Sequence, residues 1–291
     1  MDRREFGRRG VSAAIMPPWF GAAAQTGDAN RIRFSFMLWT LAKLMPFDRC
    51  LDIVSESGYQ GVELVGEFQT WSPEERTRIL ARMRSLKLVV DAMSGVKAGF
   101  AVPTQIEGFR AQFVEHLRFA RQLECAKVIL LSGNRVEGLA PEAQYQASVE
   151  NLKWASGRAA QEQIDIVIEP IDLLENPKTF LASVTDAFAI ARAVNSPSLK
   201  VLYDVYHEQR SFGNLLEKFE NNANLVGLVH IADVPGRHEP GTGEINYSGI
   251  YRKLAALGYD HWIAMEYYPT RNPLASLKDA RFEASLEFIR R

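Results

Sequence analysis

Two hydrophobic rhythms alternate along this chain. Short runs with almost continuous apolar character appear at IRFSFML (32–38), GVEL (61–64), LVVDAM (88–93), KVILLSG (127–133), IDIVIEP (164–170), LKVLYDV (199–205), LVGLVHIAD (225–233) and WIAMEYYP (262–269). Runs of this length, rich in Val, Ile and aromatic residues, read as buried strands. Between them lie longer stretches whose apolar residues recur at helical spacing. FDRCLDIVSES ends at Gly58, a helix stop. SPEERTRILARMRSLK opens with Ser72 as N-cap, Pro73 at the first helical position and Glu75 completing a capping box. The stretch 178–194, KTFLASVTDAFAIARAV, reads as one helix, and a final helix begins at PLASLKDARF.

Eight strand–helix pairs result. Near-continuous apolar strands separated by helices predict a parallel sheet covered on its outer face. Eight units are the number needed to close a (β/α)8 TIM barrel, so the fold class is α/β, in a single domain over residues 25–291. An open doubly wound sheet would need a glycine-rich phosphate loop after the first strand, and FMLWTLAK supplies none.

Composition adds exclusions. The 291 residues are 47% hydrophobic and 24% charged with a net charge of −1, which argues against nucleic acid as a partner. The two cysteines, Cys50 and Cys125, match no zinc motif and no disulfide scaffold. Residues 1–24 differ from the rest: Arg3 and Arg4, an apolar stretch from Val11 to Phe20, then Ala22-Ala23-Ala24. That order predicts a twin-arginine export signal and a periplasmic or exported protein, free of the membrane once the signal is removed; a signal that does not function would leave it cytoplasmic.

In a parallel barrel the chemistry gathers at the C-terminal strand ends, because those loops share one rim. Four successive strands end in residues that can bind metal: Glu169, Asp204, His230 and Glu266. One buried Glu at a strand end is usually salt-bridged, and one His in an apolar strand is usually a core residue. Four in succession point to a common site. Three carboxylates in one pocket repel unless a cation joins them, and this donor set suits one divalent cation such as Mn²⁺, Mg²⁺ or Co²⁺.

The strings YDVYHEQR (203–210) and HIADVPGRHEPGTGEINY (230–247) carry a resemblance. The chain resembles the xylose isomerase-like TIM barrel superfamily, most of all its hydroxypyruvate isomerases, over nearly all of residues 31–270. The resemblance implies that Glu169, Asp204, His230 and Glu266 bind the metal, that Glu169 and Glu266 also move protons, and that His207 and Arg237 bind substrate. It further implies barrels that assemble as dimers or tetramers.

The expected function is therefore isomerisation of a small hydroxy-carbonyl compound by proton transfer through an enediolate. The alternative is a ketose 3-epimerase acting on free sugars, because those enzymes carry histidine at the position of His230 where hydroxypyruvate isomerases commonly carry glutamine. A phosphodiesterase would need more histidines and a basic face. Trp39, Glu63 and Tyr268 are expected as pocket walls, Glu244 as a loop-shaping residue near Arg237, and His116 and His261 as surface residues.

Overall fold

A computed structural model describes residues 32–289. The expected export signal over residues 1–24 lies outside the described residues. Eight parallel strands pair in sequence order and close into a barrel: β1 (Arg33–Met37), β2 (Gly61–Val65), β3 (Val89–Ser94), β4 (Lys127–Leu131), β5 (Asp165–Glu169), β6 (Leu199–Asp204), β7 (Val226–Ile231) and β8 (Trp262–Met265). Strand β1 closes the ring on β8, with Ser35 opposite Ala264. No helix among the described residues is long and apolar enough to cross a membrane.

The pleat sorts the side chains into two cores. Odd and even strand positions point to opposite faces. Outward residues such as Phe36, Ile166, Ile168 and Val201 pack against the ring of helices. Inward residues fill the lumen: Met37, Ala92, Ile129, Val167, Leu202, Leu228, Trp262 and Ala264 form one cluster. Trp262 plugs the N-terminal end, with the Arg33 guanidinium stacked on it at 4.7 Å. Gly61 is required beneath that plug, since a Cβ there would stand 2.9 Å from the indole.

The surrounding helices are α1 (Leu38–Ala42), α2 (Phe47–Glu56), α3 (Pro73–Ser85), α4 (Ile106–Gln122), α5 (Pro141–Gln161), α6 (Val184–Val194), α7 (Val205–Ser211), α8 (Leu215–Glu220), α9 (Tyr247–Ala256) and α10 (Pro273–Ile289). Ser72 caps α3 as expected, accepting from the Glu75 amide at 3.1 Å. Three expectations need correction. Residues 178–183 are not helical: Phe180 N–H donates to the Gly133 carbonyl and Leu181 N–H to Ser132 Oγ, so the segment runs beside the end of β4, and Ser183 then caps α6. Strand β6 stops at Asp204 rather than at Val205. His116 is buried, not on the surface; its Nδ1 lies 2.8 Å from the Gln112 carbonyl and its ring meets Phe68 edge-on. Both cysteines are buried free thiols.

Candidate active site

The inward register places the site. Glu169, Asp204, His230 and Glu266 each follow by two positions an inward residue of the lumen, namely Val167, Leu202, Leu228 and Ala264. Period-two alternation therefore stacks the four polar side chains on top of that apolar floor. The register agrees, with Asp204 opposite His230 on neighbouring strands. All four are buried, and one ligand atom from each lies within 4.8 Å of the others.

Asp204 has two jobs. Its Oδ1 accepts from the Tyr206 and His207 amides at 2.8 and 3.1 Å, capping α7. That cap ends the strand and winds the chain at once, so His207 sits in the first turn of a helix rather than on a loop. Oδ2 is left to face the cluster, 3.5 Å from His207 Nε2 and from Arg237 Nη2.

His230 lies between carboxylates. Its Nδ1 is 2.8 Å from Glu266 Oε2 and 3.8 Å from Glu169 Oε1. On the other side Nε2 is 2.9 Å from Glu63 Oε2, close but poorly aligned for a hydrogen bond. Glu63 was expected as a pocket wall. It is instead fully buried in the lumen, on the inward face of β2, with neither carboxylate oxygen otherwise partnered among the described residues. A lone acid inside the apolar run GVEL was the signal for this. Burial pushes Glu63 up to about 7, against the pull of His230. Burial likewise opposes charge on His230, yet Glu63 and Glu266 outweigh it and raise its pKa well above the ordinary histidine value.

The two end carboxylates sit in unlike surroundings. Glu266 accepts from Trp39 Nε1 at 2.7 Å and pairs with Arg237 Nη2 at 2.7 Å. Burial alone would raise its pKa, but Arg237 and His230 hold it well below the usual carboxylate range. Burial dominates at Glu169 and pushes it up to about 8. Such a carboxylate, among other acids, is a place where a cation would relieve electrostatic strain.

Arg237, expected to bind substrate, lies against the cluster. It bridges Glu266 and Glu175, the latter with both oxygens 3.1 Å from Nη1, and its guanidinium lies 5.1 Å over the Tyr206 ring. The loop carrying it is held by Asp233, whose two oxygens accept from the amides of Val234, Gly241, Gly243 and Ile245. Gly243 must be glycine, because a Cβ there would stand 2.0 Å from the Val234 carbonyl oxygen. Glu244 does shape this loop, through its amide to the Val234 carbonyl, but its side chain meets Gln209 and not Arg237. Tyr268 stands edge-on to Trp39 at the mouth, with Lys43 bonded to its hydroxyl at 2.6 Å. His238 Nδ1 lies 2.9 Å from the Tyr268 carbonyl. His261 is half exposed, away from the cluster.

Two residues escaped the reading of strand ends because they lie on the loop beyond β5. Asp172 is fully buried; Oδ1 accepts from the Leu174 and Glu175 amides, and Oδ2 takes His207 Nδ1 at 2.7 Å and Arg210 at 3.0 Å. Burial opposes its ionisation, but the bond from His207 prevails and its pKa is lowered. This contact assigns the proton to His207 Nδ1 and turns Nε2 toward the cluster. Burial disfavours a charged His207, yet Asp204 and Asp172 raise its pKa. Glu175, the second missed residue, is the partner of Arg237.

A family profile described as xylose isomerase-like TIM barrel matches residues 51–291. The chain belongs to the xylose isomerase-like TIM barrel family. Within that family it is 31% identical to a hydroxypyruvate isomerase of Escherichia coli (strain K12), over 85% of this chain and 97% of the relative. It is 30% identical to a 2-oxo-tetronate isomerase of Pectobacterium atrosepticum, over 81% and 92%. Among solved structures, an AP endonuclease, family 2, from Brucella melitensis superposes with a TM-score of 0.78 at 27% identity, covering 85% of this chain and 97% of the other. The curated relatives are isomerases, and so is this chain. The xylose isomerase-like barrel thus brings its acidic and histidine side chains to one half of its rim.

Proposed function

We propose that the protein is a divalent-cation-dependent isomerase of small hydroxy-carbonyl compounds of the hydroxypyruvate type, working by proton transfer through an enediolate. The observation that carries this reading is the convergence of Glu169, Asp204, His230 and Glu266 within 4.8 Å. The donors fit a hard divalent ion: three carboxylates, one imidazole, and an Asp204 oxygen left over from capping. Bound there, Mn²⁺, Mg²⁺ or Co²⁺ would supply Lewis-acid stabilisation of the enediolate charge.

The remaining steps belong to the side chains. Glu169 ends β5 and Glu266 follows β8, three strand steps apart around the ring, so a substrate between them meets a carboxylate on either side. One takes the proton from the hydroxyl-bearing carbon, and its electron pair closes the enediolate double bond. A proton then returns to the neighbouring carbon while the hydroxyl proton passes between the two oxygens. Trp39 and Arg237 keep Glu266 ionised and aimed. In its imidazolium form His207, oriented by Asp172, donates from Nε2 to a substrate oxygen, and Arg237 attracts the substrate carboxylate.

Incubating the full chain with hydroxypyruvate in D₂O tests this. Deuterium should enter the product carbon, stop after chelation and resume on adding Mn²⁺. Turnover without solvent deuterium, or turnover indifferent to the chelator, overturns it. The second reading is a ketose 3-epimerase, favoured by the histidine at 230. Product analysis with fructose and tagatose separates the two. Residues 1–24 enter the proposal as an export leader; replacing Arg3 and Arg4 by lysine should retain the protein in the cytoplasmic fraction.

A further inference from the structure

The rim has a second half. The tips of β2, β3 and β4, with the loop after β5, enclose a cleft of about 870 Å³ edged by Val65, Ser94, Leu131 and Ile171. Cavities of roughly 300–1,000 Å³ enclose drug-sized ligands, so this one far exceeds the needs of a three-carbon acid. No carboxylate side chain lines it. Two cations do, Lys97 and Arg135, and among the described residues neither side chain has a partner.

The backbone brings these two cations together. The loops after β3 and β4 cross at Gly99 and Gly133, where a Cβ on either would stand 2.4 Å or 2.8 Å from the Cα of the other. The Ala101 amide to the Ser132 carbonyl, at 3.0 Å, fastens the crossing. Lys97 and Arg135 each lie two residues from it. The cleft also borders the catalytic half: on the loop after β5, Asp172 and Glu175 bind His207 and Arg237, while Ile171 and Asn176 line the cleft. From the tip of β5 to that of β3 is two strand spacings, on the order of 10 Å. An extended five- or six-carbon chain ending in an anion has about that length.

We propose that this cleft is a distal subsite for the anionic end, phosphate or carboxylate, of hydroxy-carbonyl substrates longer than three carbons, with Lys97 and Arg135 as its cationic partners. The inference rests on the isomerase reading for the other end of the substrate. Arg135 offers a planar fork and Lys97 a point charge, and both are solvent-exposed, so the attraction weakens with salt.

Calorimetry and deuterium exchange on the full chain test it with four probes: fructose, fructose 6-phosphate, 5-ketogluconate and inorganic phosphate. At low salt one of the anion-ended ketoses should bind at least tenfold more tightly than fructose; which one does so tells phosphate from carboxylate. In a Lys97→Ala/Arg135→Ala variant with an unchanged melting temperature, that preference should collapse to near unity, with intermediate values for Lys97→Gln and Arg135→Gln. No preference in the wild-type chain, or a preference that survives the double variant, overturns the subsite. So does inorganic phosphate binding as tightly as fructose 6-phosphate, which marks an independent anion site. Binding is read apart from turnover. If hydroxypyruvate shows no exchange while the preference and its loss hold, the hydroxypyruvate-type reading of the reacting end fails and the subsite stands; the reverse pattern sinks the subsite alone.

Discussion

The arc from β5 to β8 and the arc from β2 to β4 share one scaffold and one rim, yet they solve opposite electrostatic problems. The first gathers Glu169, Asp204 and Glu266 with Asp172 close by, all buried, and three of the four are held by designated donors: the α7 amides at Asp204, His207 and Arg210 at Asp172, Trp39 and Arg237 at Glu266, while Glu169 has only His230 Nδ1 nearby among the described residues, at 3.8 Å. The second places Lys97 and Arg135 in the open, without side-chain partners among the described residues. Buried like charges must be compensated from within, because desolvation is costly. Exposed ones are compensated by water and are free to meet an incoming ion. The buried arc is therefore preorganised, as chemistry requires, and the open arc is suited to attraction at a distance from the reacting atoms.

The comparison breaks most visibly at the proposed proton carriers. Glu169→Gln keeps the shape but removes the proton transfer, and deuterium incorporation should fall by roughly 10²- to 10⁴-fold. A residual rate near that of the parent would remove Glu169 from the chemistry.

Glu63→Leu asks whether the lumen beneath the acidic arc orients His230. The carboxylate stands 2.9 Å from Nε2, and its loss should weaken Mn²⁺ binding by about 10- to 100-fold, as loss of a ligand's supporting partner does. The melting temperature should hold or rise, since an unaligned buried acid leaves the lumen. Unchanged Mn²⁺ affinity in calorimetry means that another group orients the ring.

Asp172→Asn sharpens the distinction between held and free charges. It removes the acceptor shared by His207 and Arg210. Stability should drop by about 1–3 kcal/mol, visible in urea unfolding, together with a higher KM for hydroxypyruvate. A loss of stability with an unmoved KM would make Asp172 structural only.

The smallest effect lies at the edge of the acidic arc. Glu239 accepts from the Thr270 amide and hydroxyl and from Ser276, tying the loop after β7 to the loop after β8. Burial opposes its ionisation, but its own backbone amide and the Thr270 and Ser276 hydrogen bonds win and lower its pKa. The stability it contributes is present above the unfolded-state value of about 4.3 and is lost as the pH falls through the lower folded value. Glu239→Gln should therefore lower the melting temperature by a few degrees at pH 7, with the gap to the parent closing below about pH 4. A gap independent of pH would assign the effect to packing.

Much of this was legible in the residues. Apolar runs at near-regular intervals specified eight strands, and their polar last members named Glu169, Asp204, His230 and Glu266, because side-chain alternation fixes which face each occupies. His207 and Arg237 followed from the quoted motifs, and both reach the cluster. Helix α7 was missed because its start depends on one aspartate bonding its own next amides, a competition that periodicity does not register. The stretch 178–183 has helical spacing but spends its amides on Ser132 and Gly133, partners nearly fifty residues away.

Local pattern thus determined the strands, their inward faces and the identity of the clustered Glu169, Asp204, His230 and Glu266, since each depends only on neighbours along the chain. Closure of the barrel decided the rest. Only when β1 meets β8 does Glu63 face His230, and only the Gly99–Gly133 crossing sets Lys97 beside the loop of Arg135. Such pairings join residues distant in sequence, and their energies exist only once the chain has folded around them.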